Sequence, residues 1–234
     1  MRGTFRRYPG QERLNCLSGQ PKIGANALRD FAKPMNMNRR HFIGAMVAGS
    51  AGLVSTRSFA ATLCGEMPAL LPEALAALDA NAARIAHRDR IGLVNFAAHS
   101  RLPRFQLVDL EGGRVIKSML VAHGSGSDPD ASGWTERFSN RAGSNASCKG
   151  AFVTGATYVG KHGRSRKVSG LEAQNEAAER RAIVIHGADY VSQTIALEQG
   201  RIGRSQGCFA VSRAEIDDLL AQLGEGRLLY AWKA

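Results

Sequence analysis

The chain has 234 residues, 44% of them hydrophobic, with 31 Lys and Arg against 20 Asp and Glu for a formal net charge of +11. That length suits one sizeable core, or one domain with a leader and an arm. The first 60 residues hold 10 of the basic and 2 of the acidic side chains, leaving a remainder near +3; with aromatics at 6% and no basic stretch interleaved with them, the composition excludes a nucleic-acid partner.

Met37-Asn38-Arg39-Arg40-His41-Phe42 sets paired arginines ahead of a mildly apolar stretch, Ile43 to Val54, that closes on Ser58-Phe59-Ala60. This order predicts a twin-arginine signal peptide over 37–60, cleavage after it and a periplasmic or cell-envelope location. Residues 1–36 are expected to precede the true start and to lie outside the folded protein. The apolar stretch is too short and too rich in small residues to span a bilayer stably.

Residues 61–91 are expected to form a helical arm. Leu75, Leu78, Ala82 and Ile85 recur at helical spacing within 71–88, and Pro72 lies in the first turn, where its missing N–H costs nothing. A domain over 92–234 follows. It opens with strands at 92–97, 104–110 and 114–122, the last two joined by the turn Glu111-Gly112-Gly113. Residues 123–149, rich in Gly, Ser and Asn, read as a long irregular loop of the kind that often lines a site. Strands are predicted at 151–159 and 165–171 around the tight turn Lys161-His162-Gly163, then a short polar helix over 172–181 and a strand ending at His186-Gly187. Ser212 and Glu215 have capping-box spacing before a helix with Ile216, Leu219, Leu220 and Leu223 on one face. Gly224 and Gly226 end it, and 227–232 returns as a strand.

Cys208 carries the chemistry. It lies in Gly203-Arg204-Ser205-Gln206-Gly207-Cys208, downstream of His186. A lone cysteine in a strand is by default a small buried hydrophobe, but this setting differs. Gly207 admits a backbone geometry closed to other residues, so the N–H groups of Gln206, Gly207 and Cys208 can converge as an oxyanion hole. A histidine at a strand end can take the thiol proton, its tautomer fixed by the Gly187 carbonyl. His87 and His162 stand in polar, solvated surroundings and His99 in a connecting loop, each a structural histidine by default. Lys161, Arg164, Arg166 and Lys167 form a basic run around a turn, of the kind that is usually a solvated face. Arg204 is a candidate for a substrate carboxylate, with a structural ion pair as its alternative. His123 and Asp130 raise a metal-dependent peptidase as a rival, but the C-terminal segment lacks the further histidine such enzymes use, so no metal is assigned. Cys64 and Cys148 survive the expected cleavage; an oxidising compartment allows their pairing without requiring it.

The pattern His186-Gly187 followed by Gly203-Arg204-Ser205-Gln206-Gly207-Cys208 resembles the YkuD-type L,D-transpeptidases, and in particular the murein L,D-transpeptidase catalytic domains of the proteobacterial branch. The likeness runs from about 94 to 211 and includes His123-Gly124-Ser125-Gly126, Phe138-Ser139-Asn140, Tyr158-Val159-Gly160-Lys161-His162-Gly163, Gly170-Leu171-Glu172 and Gly187-Ala188-Asp189-Tyr190. Two positions depart from the family: Gln206 replaces a common histidine, and Ala210 stands where most members carry an arginine, for which Arg204 or Arg201 could substitute.

The resemblance implies a mainly β fold of the α+β class, a bent sheet or sandwich with flanking helices. It also implies a monomeric cysteine acyltransferase, with possible L,D-carboxypeptidase activity, that acts on peptidoglycan stem peptides without a cofactor. A carbapenem is the expected covalent inhibitor. Catalysis would fall to Cys208, His186 and Gly187, oxyanion binding to Gln206, Gly207 and Cys208, and substrate contact to Arg204, Ser205, Tyr190 and His123. A cell-wall-binding protein that has lost catalysis is the alternative.

Overall fold

The computed structural model describes residues 68–234; the expected leader, the upstream segment and Cys64 lie outside them. Its frame is one mixed eight-stranded sheet in the order β3-β2-β1-β8-β4-β5-β6-β7. The strands are β1 Arg90–Asn95, β2 Phe105–Asp109, β3 Arg114–Met119, β4 Gly150–Gly160, β5 Gly163–Gly170, β6 Val184–Ala188, β7 Phe209–Ser212 and β8 Leu228–Trp232. Pairing is antiparallel except for β1 with β8 and β6 with β7. The expected bent sheet or sandwich is thus a single sheet. Register shifts at Leu107/Val108 and between Thr154 and Thr157 are bulges of the kind that bend and twist strands.

Both faces of the central strands are covered, which explains why β1 is apolar at consecutive positions rather than at alternate ones. Ile91, Leu93, Leu228 and Tyr230 point toward helix α1, Leu71–Ala80, and meet its Leu71, Ala74 and Leu78. Val94, Leu229 and Ala231 point the other way, into the larger cluster that contains Ile216, Leu219, Leu220 and Leu223 of α3, Ile216–Leu223. The amphipathic spacing of α3 is therefore its docking face.

Four sequence expectations need correction. The N-terminal helix stops at Ala80, where Asn81 closes it through a bond to the Ala77 carbonyl, and a 3-10 turn over Ala82–Arg84 replaces its last part. Residues 172–181 form successive turns instead of a polar helix. Asn175 organises them by bonding the carbonyls of Lys149 and Ala151 and accepting from Glu172 N. A short helix, α2 Gln193–Glu198, is present where none was expected, capped by the Ser192 side chain. Finally, Ser212 Oγ donates to Glu215 at 2.7 Å and closes a turn ahead of α3, rather than capping its first N–H groups. Among the described residues no helix is long and apolar enough to cross a membrane.

Candidate active site

His186 is the middle residue of β6 and Cys208 immediately precedes β7. The parallel register sets His186 opposite Ala210, which brings Cys208, two residues before Ala210, to the edge of the strand that carries the histidine, with its sulfur at the Ala182 carbonyl and the Val184 N–H. Two glycines make this arrangement possible. Gly187 lets α3 approach, since a Cβ there would stand 3.1 Å from Ile216 Cγ2 and 3.3 Å from Arg213 Cα. Gly207 has φ +112°, a region that disfavours side chains, and its Cβ would stand 2.7 Å from the Ala146 carbonyl oxygen and 3.1 Å from Arg181 Nη2.

The imidazole of His186 is 2% exposed, and its Nδ1 lies 3.0 Å from the Gly187 carbonyl oxygen. A carbonyl only accepts, so the proton sits on Nδ1 and the lone pair on Nε2; among the described residues no hydrogen bond reaches Nε2. Burial first, then the positive charges of His162, Arg213 and Lys161, hold its pKa below the ordinary value, against the opposing Gly187 bond. The ring is a neutral base near pH 7.

Cys208 is half-buried, and its Sγ donates to the Ala182 carbonyl at 3.6 Å. Burial raises the thiol pKa, while the Val184 N–H and the charges of Lys161 and Arg181 pull it down. The resting sulfur is therefore a thiol, and ionisation requires proton transfer to a base. Tyr190 lies beside it. Its phenol is pushed up to about 12 by burial and by the negative charge that the Cys208 sulfur carries once it is ionised. Packing against Gly203 brings this ring to the cysteine loop.

The structure reassigns several expected site residues. His123 is fully buried, with Nδ1 2.6 Å from Arg104 Nη2 and Nε2 3.1 Å from Asp128 Oδ2. Sealed between a guanidinium and a carboxylate, it has no atom left for substrate. Burial and Arg104 lower its pKa to about 4, against the pull of Asp128. The metal rival loses its ligand pair in the same way, because both ring nitrogens are engaged and Asp130 is exposed.

Ser205 also turns inward. Its Oγ donates to the Cys208 carbonyl at 2.8 Å and accepts from Gly207 N at 3.1 Å. That second bond engages one of the three N–H groups expected in the oxyanion hole. Arg204 Nη1 bonds the carbonyls of Asp128 and Pro129 and fastens the 128–129 loop, and among the described residues Arg204 forms no ion pair. Gln206 is exposed at the loop tip.

The cysteine loop is thus held from below: Ser205 N donates to the His123 carbonyl and Ser125 N to the Ser205 carbonyl. Arg104, which has no place in the sequence motif, is the charged base of that support, 2% exposed and bonded to the carbonyls of Val121 and Ala98.

Two further residues at the site were not singled out by the sequence. Arg181 bonds the carbonyls of Ser139 and Ala146 at 2.6 and 2.5 Å and lies against the buried Cys148 Sγ at 2.8 Å. It is a fixed positive charge near Cys208 in a chain that lacks one at position 210. His162, expected in solvated surroundings, stacks on His186 with ring centroids 4.2 Å apart. Of the basic run, Arg164 pairs with Asp217, and Arg166 is buried, bonding the carbonyls of Gly155 and Leu220.

The family described as L,D-transpeptidase catalytic domain matches residues 66–232. No curated protein matches the chain. Among solved structures, an L,D-transpeptidase from Mycobacterium smegmatis is 13% identical at a TM-score of 0.39, the match covering 62% of this chain and 58% of that one. One from Xylanimonas cellulosilytica is 19% identical at a TM-score of 0.38, covering 69% and 70%. The Campylobacter jejuni helical cell shape determining protein Pgp2 is 11% identical at a TM-score of 0.41, covering 64% and 49%. None of these values carries a property across to this chain.

Proposed function

The chain belongs to the family of L,D-transpeptidase catalytic domains, and from that premise we propose that it is a cysteine acyltransferase acting on peptidoglycan stem peptides. The observation that carries this reading is the His186 ring: its proton is tied to the Gly187 carbonyl and its Nε2 lone pair is unclaimed, on the strand beside Cys208.

In the proposed reaction Nε2 removes the Cys208 proton as the sulfur attacks the carbonyl of the diamino acid in a tetrapeptide stem. The negative charge that develops on that oxygen is met by the N–H groups of Gln206 and Cys208. The amide bond to the terminal D-alanine breaks, and the leaving amine takes the proton from His186. The thioester then passes to the amine of a second stem, forming a cross-link, or to water, trimming the stem. Tyr190 beside the sulfur is the side chain best placed to flank the donor peptide. Export by the twin-arginine route to the periplasm, where this substrate lies, belongs to the same reading and rests on the 37–60 sequence.

Incubating the protein with tetrapeptide muropeptides and resolving the products by chromatography tests it. Cross-linked or shortened stems are expected, and Cys208→Ala should abolish them while preserving the circular-dichroism spectrum; turnover retained in that variant would overturn the reading. The Ala182 bond of the sulfur and its raised pKa favour a second reading, a cell-wall-binding protein without catalysis. It predicts retention on sacculi with no product from either protein.

A further inference from the structure

We propose that His162 is a positioning residue for His186, an inference that rests on the acyl-transfer reading above. Lys161 and His162 form the turn between β4 and β5, and the His162 ring lies over His186 at an interplanar angle of 20° with centroids 4.2 Å apart. The bond from Nδ1 to the Gly187 carbonyl restrains only one edge of the catalytic ring. Histidine χ2 occupies a broad well, so one in-plane bond leaves the ring free to rock and swing Nε2 off the sulfur. A flat partner against the face removes that freedom.

The turn that carries this partner is well anchored. Gly160 pairs with Gly163, and β5 itself pairs with β6 through Ser165 opposite His186, so the hairpin and the base it covers share one ladder. Among the described residues His162 makes no hydrogen bond, which leaves the stack as its defined contact. The strand around the turn is open, with Val159 82% exposed, so the His162 side chain has no core to fill.

The groups facing His186 give the stack an electrostatic consequence. They are Lys161 and His162 on the turn and Arg213 ahead of α3 with its partner Asp189 at 2.5 Å, while Cys208 stands just before β7 on the neighbouring strand. Protonating His186 would add a cation against Lys161 and Arg213 while the stacked ring keeps water from its face. His162 thereby helps keep the base neutral as well as aligned.

Two substitutions separate the face of the ring from its nitrogens. The rate at which a carbapenem acylates Cys208 is measured against pH for the unsubstituted protein, His162→Ala and His162→Phe, alongside NMR titration of the His186 ring in each. His162→Ala should slow acylation on the order of tenfold or more, and His186 should titrate nearer its ordinary value, moving the acid limb to higher pH. His162→Phe, which keeps a flat apolar face but not the charge, should stay close to the unsubstituted protein in rate, with His186 still titrating lower than in the alanine variant. An alanine variant unchanged in rate and titration overturns the inference, as does a phenylalanine variant that falls as far as the alanine one. If Cys208 fails to acylate in the unsubstituted protein, the acyl-transfer reading falls. The titration still decides the stacking role, upheld if His186 moves further in the alanine variant than in the phenylalanine one and overturned if it moves equally in both or in neither.

Discussion

Two buried histidines in this molecule have opposite fates. His123 and His186 are 0% and 2% exposed, and burial lowers the pKa of both. They differ in tautomer. Arg104 donates to Nδ1 of His123, which puts that ring's proton on Nε2 and aims it at Asp128. In His186 the Gly187 carbonyl draws the proton to Nδ1 and leaves Nε2 with a free lone pair. Depth and a shifted pKa do not by themselves mark a functional histidine. An unclaimed lone pair beside a nucleophile does, and a ring satisfied at both ends is architecture.

That contrast can be broken first at His186. His186→Gln keeps a buried polar side chain but removes the base, so acylation of Cys208 should fall about 10²- to 10⁴-fold, with little movement in the thermal melting midpoint. Comparable loss of rate and of stability would mean that His186, too, is mainly structural.

The complementary change is His123→Ala. It leaves Arg104 and Asp128 buried without the ring that links them, and a broken buried charge network typically costs about 3–5 kcal/mol of stability. Denaturant titration should show that loss, and the fraction that remains folded should still acylate. Because the His123 pKa is about 4 when folded and 6.5 ordinarily, the unfolded chain takes up a proton over that interval that the folded protein refuses. Stability should therefore be full above about pH 6.5 and decline toward pH 4, by on the order of 3 kcal/mol for this group. The His123→Ala variant should show a shallower slope; an unchanged slope would assign the acid sensitivity elsewhere.

The sequence made the cysteine and its base legible because each stands beside a glycine: Gly207 marks a backbone at φ +112°, a local signal, whereas Gly187 only permits the approach of α3, a contact between residues distant in the chain. Most strands and α3 were legible for a similar reason, since apolar spacing reports which face is covered. What surrounds the loop residues was not. Arg204, Ser205 and His123 are polar types in a Gly-rich setting, and nothing local says that Asp128, the Cys208 carbonyl and Arg104 satisfy them. Arg104 follows Pro103 at the start of a strand and looks exposed until β2, β3 and the 123–135 loop close over it. The His162 stack depends on the β5–β6 register, which joins residues more than twenty positions apart. Residues 172–181 have helical composition, but the Asn175 side chain competes for their backbone and wins.

The most direct measurement of Cys208 as an acyl carrier is intact-protein mass spectrometry with peptide mapping after incubation with a carbapenem. Thiolate attack on the lactam carbonyl forms a thioester and breaks the ring C–N bond, whose nitrogen takes the proton, so the protein gains the whole mass of the drug. Acyl transfer through Cys208 predicts one such adduct on the Cys208 peptide and none in Cys208→Ala. A protein that stays unmodified, or one labelled on Cys148 instead, would contradict it.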